Sequence, residues 1–154
     1  MRILVLSDVH NRPKTAEDII AKHEDINHVF FLGDGIDHME DITCFFPEKT
    51  FYLVSGNCDF SSFSPATATI ELGGKRILYT HGHPYNVKWS LARLMADAKA
   101  KGAHLVLYGH THNPAAEYLD GVYYVNPGAV SGSPASYAVI DLDKSGIMPN
   151  LLSL

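Results

Sequence analysis

Two histidines separated by one residue, His110 and His112, follow the short apolar run His104-Leu105-Val106-Leu107-Tyr108 and precede Asn113-Pro114. Set where a strand runs out into a loop, each imidazole can turn a nitrogen toward a metal ion. Four earlier apolar runs end in the same kind of residue: Asp8 with His10, Asp34, Asn57 and His81. Carboxylate, amide and imidazole donors suit a hard or borderline divalent ion, and the sequence has no paired cysteines of the kind that build a structural zinc cluster. Each motif also has an ordinary reading, because Gly33-Asp34-Gly35 and Gly56-Asn57 are good turn sequences and histidine pairs occur on plain surfaces. Five such endings in one chain carry the metal reading. His23, His28, His38 and His104 lie in helices, at strand starts or in variable loops, and are assigned structural roles.

The elements that position these residues follow from hydrophobic periodicity. Arg2 to Ser7 reads as a buried strand, and Ala16, Ile19, Ile20 and His23 recur at helical spacing over Lys14 to Glu24. His28 to Leu32 is a second strand. Ile36, Met39, Ile42 and Phe46 line a short helix before Pro47, and Thr50 to Ser55 is a third strand. This βαβαβ order predicts parallel pairing with right-handed crossovers. From Thr67 hairpins take over, with Gly73-Gly74 between Thr67 to Leu72 and Arg76 to Thr80, and Asp120-Gly121 between Glu117 to Leu119 and Val122 to Val125. Between them, Val87, Leu91, Leu94, Met95 and Ala98 predict a helix that Gly102 terminates, with Trp89 off its stripe and beside the site. Tyr137 to Leu142 and Ile147 to Leu152 predict a closing hairpin.

Length and composition bound the rest. The 154 residues fit one domain that buries roughly two-thirds of the surface its unfolded form exposes. A hydrophobic share of 46% with 19% charged residues excludes a disordered or coiled-coil class. The net charge of −5 without a Lys/Arg cluster argues against an extended nucleic acid as partner, since such binding rests on many phosphate contacts. A small phosphorylated ligand held by metal is compatible with it. Ser7-Asp8-Val9-His10 interrupts the first apolar run too early for a signal peptide, and no stretch is long enough to span a membrane. Two cysteines, Cys44 and Cys58, suggest no disulfide framework, so a reducing cytoplasmic compartment is expected.

The ordered set Asp8-x-His10, Gly33-Asp34-x-x-Asp37, Gly56-Asn57-Cys58-Asp59, Thr80-His81-Gly82-His83 and Gly109-His110-Thr111-His112 resembles the calcineurin-like metallophosphoesterases, most closely their small single-domain microbial phosphodiesterase branch. The resemblance implies a four-layer α/β/β/α sandwich, two mixed sheets flanked by helices, with a dinuclear metal site at the strand ends. It assigns Asp8, His10 and His112 to one ion, Asn57, His81 and His110 to the other, and Asp34 to both. The ions it implies are divalent, manganese first, with iron, zinc or nickel as alternatives. Where many superfamily members carry histidine after the asparagine this chain has Cys58, although the small microbial branch shares Gly-Asn-Cys-Asp. Leaving-group chemistry therefore falls to other candidates: His83 as a catalytic or substrate-contacting group and Cys58 as a substrate contact, with Asp59 orienting the Asn57 loop.

The function so implied is hydrolysis of a small phosphodiester or nucleotide-like substrate by attack of a metal-bridging hydroxide, with Asp34, Asn57 and His83 in the catalytic set. A phosphomonoesterase or nuclease on the same site, or a protein-binding scaffold of the same fold, would share much of this sequence. Ser61, Phe63, Ser64, Tyr85, Trp89 and Asn113 are candidates for the mouth of the site, and a homo-oligomer is compatible with everything above.

Overall fold

A computed structural model describes residues 1–154. The first strand shows why the chain builds layers. In β1 (Arg2–Leu6) alternate side chains leave on opposite faces, so Leu4 and Leu6 join one core while Ile3 and Val5 join another. A strand apolar on both faces belongs in the interior of a covered sheet. Here β1 is flanked by β2 (His28–Phe31), which runs parallel to it, and by β9 (Ser136–Leu142), which runs antiparallel.

Two five-stranded mixed sheets result, ordered β10-β9-β1-β2-β3 and β4-β5-β6-β8-β7. The remaining strands are β3 (Thr50–Leu53), β4 (Thr67–Leu72), β5 (Lys75–Thr80), β6 (Leu105–Leu107), β7 (Ala115–Leu119), β8 (Val122–Asn126) and β10 (Ile147–Ser153). The sheets face each other across Ile3, Val5, Phe30, Leu32, Ile77, Leu105, Leu107 and Val125. Helices α1 (Pro13–Lys22) and α2 (Ile36–Thr43) cover the first sheet through Ala16, Ile19, Ile20, Ile36, Met39 and Ile42, and α3 (Ala92–Ala100) covers the second through Leu94 and Ala98. This is the α/β/β/α sandwich.

Local chemistry explains the boundaries. Pro13 opens α1, where its fixed φ and missing N–H cost nothing. Beyond its end, the buried Lys49 ammonium donates to the carbonyls of His23, Glu24 and Ile26 at 3.0, 3.2 and 2.7 Å, supplying the partners that the exiting chain would otherwise lack. No helix is long and apolar enough to cross a membrane.

Several sequence expectations shift. The helix expected from Val87 begins only at Ala92, because a 3-10 turn at His83–Tyr85 is followed by Asn86 in the left-handed region at φ 54°. Val87 still packs into the same core as Leu94, which is why it falls on the apolar stripe. Strand β3 stops at Leu53 rather than Ser55. Strand β8 pairs with β7 and also lies parallel to β6, placing Asn126 at the same sheet edge as Gly109. The closing hairpin adds β9 and β10 to the first sheet on the far side of β1.

Candidate metal centre

The parallel strands β1, β2, β5 and β6 all discharge at one edge of the sandwich, the carboxyl edge where open α/β sheets assemble ligand sites. Backbone hydrogen bonds tie the exits together. Asp8 N–H donates to Gly33 O at 2.9 Å, His10 N–H to Asp34 O at 2.9 Å, and Gly109 N–H to His81 O at 3.0 Å. One side-chain bond spans the two sheets: His81 Nδ1 lies 2.7 Å from Leu32 O. A carbonyl only accepts, so Nδ1 carries a proton, and Nε2 is the ring nitrogen turned to the site.

Around that nitrogen gather Asn57 Oδ1 at 3.0 Å, His110 Nδ1 at 3.1 Å and Asp34 Oδ2 at 3.5 Å. The two oxygens have no proton to give to Nε2. Imidazole nitrogens, an amide oxygen and a carboxylate oxygen converging at such distances make a donor set that fits a divalent ion. Burial pushes the His110 imidazole down to about 4, assisted by His81 and Lys88 and outweighing the pull of Asp8 and Asp34, which leaves the ring neutral near pH 7.

A second cluster stands beside it. His112 Nε2 is 3.0 Å and His10 Nε2 3.8 Å from Asp8 Oδ1, and these three residues can converge on one ion. Asp34 Oδ2 lies between the clusters, 3.8 Å from His10 Nε2 and 3.5 Å from His81 Nε2. Each buried carboxylate has one oxygen tethered and one facing its histidines. Asp8 Oδ2 accepts from Ser7 Oγ at 2.5 Å and from His110 N–H at 3.1 Å, while Asp34 Oδ1 accepts from Cys58 N–H at 2.9 Å.

The backbone holding these groups is strained. Asp8, His10, Asp34, His110 and His112 all sit at positive φ, between 47° and 71°, where a residue with a Cβ costs on the order of 1–3 kcal/mol. Small residues let the loops close. A Cβ on Gly109 would overlap Ser7 Oγ and stand 3.0 Å from Asp8 Oδ2, and one on Gly56 would overlap Asp34 Oδ1.

One family model, that of the calcineurin-like phosphoesterase superfamily domain, matches residues 1–145. The chain belongs to the calcineurin-like phosphoesterase superfamily. It is similar to phosphodiesterase YfcE of Escherichia coli (strain K12), 28% identical over 170 residues that cover 93% of this chain and 89% of that one. It is also similar to vacuolar protein sorting-associated protein 29 of Schizosaccharomyces pombe, 40% identical over 100 residues that cover 65% of this chain and 52% of that one. Among solved structures, a predicted phosphoesterase of Streptococcus pneumoniae TIGR4 superimposes with a TM-score of 0.86 at 26% identity, over 99% of this chain and 88% of that one.

Within this calcineurin-like phosphoesterase, the other sequence candidates are placed as follows. Asp59 organises the Asn57 loop by accepting from four backbone N–H groups: Asp34 at 2.8 Å, Gly35 at 2.8 Å, Ile36 at 3.1 Å and Gly56 at 2.7 Å. Burial favours the neutral Asp59 acid, yet those four donors outweigh it and hold the carboxyl below its ordinary range. Cys58 is exposed, and its thiol is pushed up by the burial it has and by the Asp34 charge, so it stays protonated at neutral pH. The His83 ring lies with its centroid 5.3 Å from that of His81 and 6.2 Å from that of His110, and its buried Nδ1 has no hydrogen-bond partner.

Trp89 stands 91% exposed on the non-helical turn before α3, off the apolar stripe and beside Tyr85 and Arg93. The histidines assigned structural roles keep them. His23 pairs with Tyr137 Oη at 3.2 Å, His28 with Tyr52 Oη at 3.0 Å, and His104 accepts from Arg76 N–H at 2.9 Å, while His38 is exposed on α2. Sequence reasoning missed Ser7 and Asn126. The Asn126 amide donates to Gly109 O at 3.2 Å and Thr111 Oγ1 at 2.9 Å, pinning the loop that carries both histidines. The only signal was Asn126 as the first residue of the Asn-Pro-Gly turn.

Proposed function

We propose that this calcineurin-like phosphoesterase is a metal-dependent phosphodiesterase acting on a small phosphodiester or nucleotide-like compound. The observation that carries the reading is Asp34 Oδ2 standing between His10 and His81, with a cluster of donors on either side. In this reading Asp8, His10 and His112 hold one divalent ion, Asn57, His81 and His110 hold the other, and Asp34 serves both. Oxygen and imidazole donors suit manganese, and also iron, zinc or nickel. When bound, such ions make water acidic enough to attack near neutral pH and draw charge from phosphate oxygens.

The chain's own residues set the stage for that chemistry. Ser7 and the His110 amide fix Asp8, and the Cys58 amide fixes Asp34, so each carboxylate offers the centre one defined oxygen. Leu32 O keeps a proton on His81 Nδ1. The half-buried ring of His83 is the candidate contact for a phosphate or leaving oxygen, and the exposed Cys58 thiol the candidate contact for the substrate's ester group. A relative named as a phosphodiesterase supports the diester preference, and the acidic surface without a basic cluster supports a small substrate.

Metal-stripped protein is expected to gain hydrolysis of bis(4-nitrophenyl) phosphate on addition of manganese, and Asp34→Asn and His110→Ala are each expected to lose it. Unchanged activity in both variants would sink the reading. Side-by-side rates on a phosphomonoester and an oligonucleotide separate the diesterase from the other phosphoesterases. The 40% identity to a vacuolar protein sorting component favours one second reading, a scaffold whose fold serves protein assembly. Protein that neither takes up metal nor turns over any phosphoester would support the scaffold.

A further inference from the structure

A cavity of about 470 Å³, within the size range of small-molecule sites, is lined in part by His112. His112 is shared: its Nε2 faces Asp8 in the metal centre, and the residue also lines this cavity. The opposite walls come from the segment after β8 and from the end of β10. They are fixed to the centre, since Val130 N–H donates to Ser7 O and Ser131 N–H to Asp8 O, both at 3.0 Å. The C-terminal wall is held by the β9–β10 ladder through Ser153, and Leu154 N–H donates to Ala135 O at 3.0 Å.

The lining has a definite chemical character. It contains no Asp, Glu, Lys or Arg, so nothing in it pairs with a charged group. Nor does it contain Phe, Tyr or Trp, and its one aromatic ring is that of His112, whose Nε2 is turned to Asp8. Of its serines, Ser136 is committed to Ala129 N–H at 3.0 Å, whereas the hydroxyls of Ser131, Ser133 and Ser153 make no hydrogen bond within the chain. Leu151 and Leu152 add a short apolar strip.

We infer that this cavity receives one of the two alcohol groups of the phosphodiester, an uncharged aliphatic group bearing hydroxyls, while the phosphate lies at the metal centre. The inference rests on the phosphodiesterase reading above. Free hydroxyls on both walls, Ser131 and Ser133 after β8 and Ser153 at the end of β10, reward a polyol, because the same groups lose their water and gain nothing when an alkyl chain enters. A nucleoside would find no Phe, Tyr or Trp there on which to stack its base.

The test compares 2,3-dihydroxypropyl 4-nitrophenyl phosphate with propyl 4-nitrophenyl phosphate, which share a leaving group and differ by two hydroxyls. With the manganese-loaded protein, kcat/KM should favour the dihydroxypropyl ester by about tenfold or more, the discrimination expected of a site that hydrogen-bonds substrate hydroxyls. In Ser133→Ala/Ser153→Ala the ratio should fall to within about twofold of one, carried by KM, since each lost hydrogen bond is worth roughly a factor of three to ten. Leu152→Trp, which fills the cavity from β10, should lower the ratio as well. Metal uptake and thermal midpoint report whether the variants fold. Turnover of both esters without discrimination, or a ratio unmoved in both variants, overturns this inference alone. Absence of metal-dependent turnover of either ester overturns the phosphodiesterase reading beneath it.

Discussion

The imidazole of His81 hangs from the carbonyl of Leu32, Nδ1 to O at 2.7 Å, and this bond joins the two sheets at the edge where the metal centre lies. Leu32 follows β2 in the first sheet and His81 follows β5 in the second, so one hydrogen bond both ties the sheets at this edge and places a proton on Nδ1 of the ring.

That relationship predicts a spectroscopic result. In the metal-free protein the His81 Nδ1 should carry a proton, read from nitrogen shifts in a long-range proton–nitrogen correlation spectrum. Manganese would broaden the signal, so the loading experiment uses zinc, which should move Nε2 and leave Nδ1 protonated. A bare Nδ1 in the metal-free protein would contradict the bond to Leu32.

Gly109→Ala should disable the site without unfolding the chain. The added Cβ meets Ser7 Oγ and Asp8 Oδ2, so the Asp8 carboxylate must shift, and a displacement of about 1 Å at a reacting centre costs on the order of a hundredfold. Ser7→Ala in the same chain removes the nearest of those atoms and should recover part of the loss. Additive losses in the double variant would show that the two residues do not collide.

The strand pattern and the residues that end the strands were legible in the sequence because they follow short-range rules. Leu4 and Leu6 against Ile3 and Val5 announce a strand covered on both faces, and Asp8, Asp34 and His81 stand directly past apolar runs. What was not legible depends on partners distant in the chain. The left-handed conformations of Asp8, His10, Asp34, His110 and His112 violate local preference and are held by bonds such as Asp8 N–H to Gly33 O, which sequence spacing does not reveal. Asn126 reaches the site only because β8 inserts beside β6, a choice of neighbour that a hairpin signal leaves open. Val87 belongs to the α3 core without belonging to the helix, so apolar periodicity ran past the true helix start at Ala92.

Asp59 gives the pH dependence. Its carboxyl is depressed in the folded protein, so it contributes stability that is present above its unfolded value, about 3.9, and is lost as pH falls through the lower folded value. Asp59→Asn places an amide N–H₂ against backbone N–H donors and should cost about 1–3 kcal/mol at pH 7. In denaturant titrations the gap between wild type and variant should narrow as pH drops below about 4. A gap that is constant down to pH 2 would contradict the depressed carboxyl.

Lys49→Met should destabilise the fold while sparing the metal centre. The ammonium serves three carbonyls at the exit of α1, and removing it leaves those acceptors without their donor at a cost of about 1–3 kcal/mol. Urea midpoints should fall and the stoichiometry of metal uptake should hold. A midpoint equal to that of wild type would mean water replaces the ammonium without penalty.

The central claim is that two clusters sharing Asp34 act as one paired metal centre, and stepwise manganese titration of metal-stripped protein with parallel diesterase assays tests it most directly. The paired centre predicts two ions per chain in the wild type, turnover that rises with the second equivalent, and loss of both the second ion and turnover in Asp34→Asn. Full activity at one equivalent, or an Asp34→Asn variant that binds two ions and turns over as the wild type does, would contradict it.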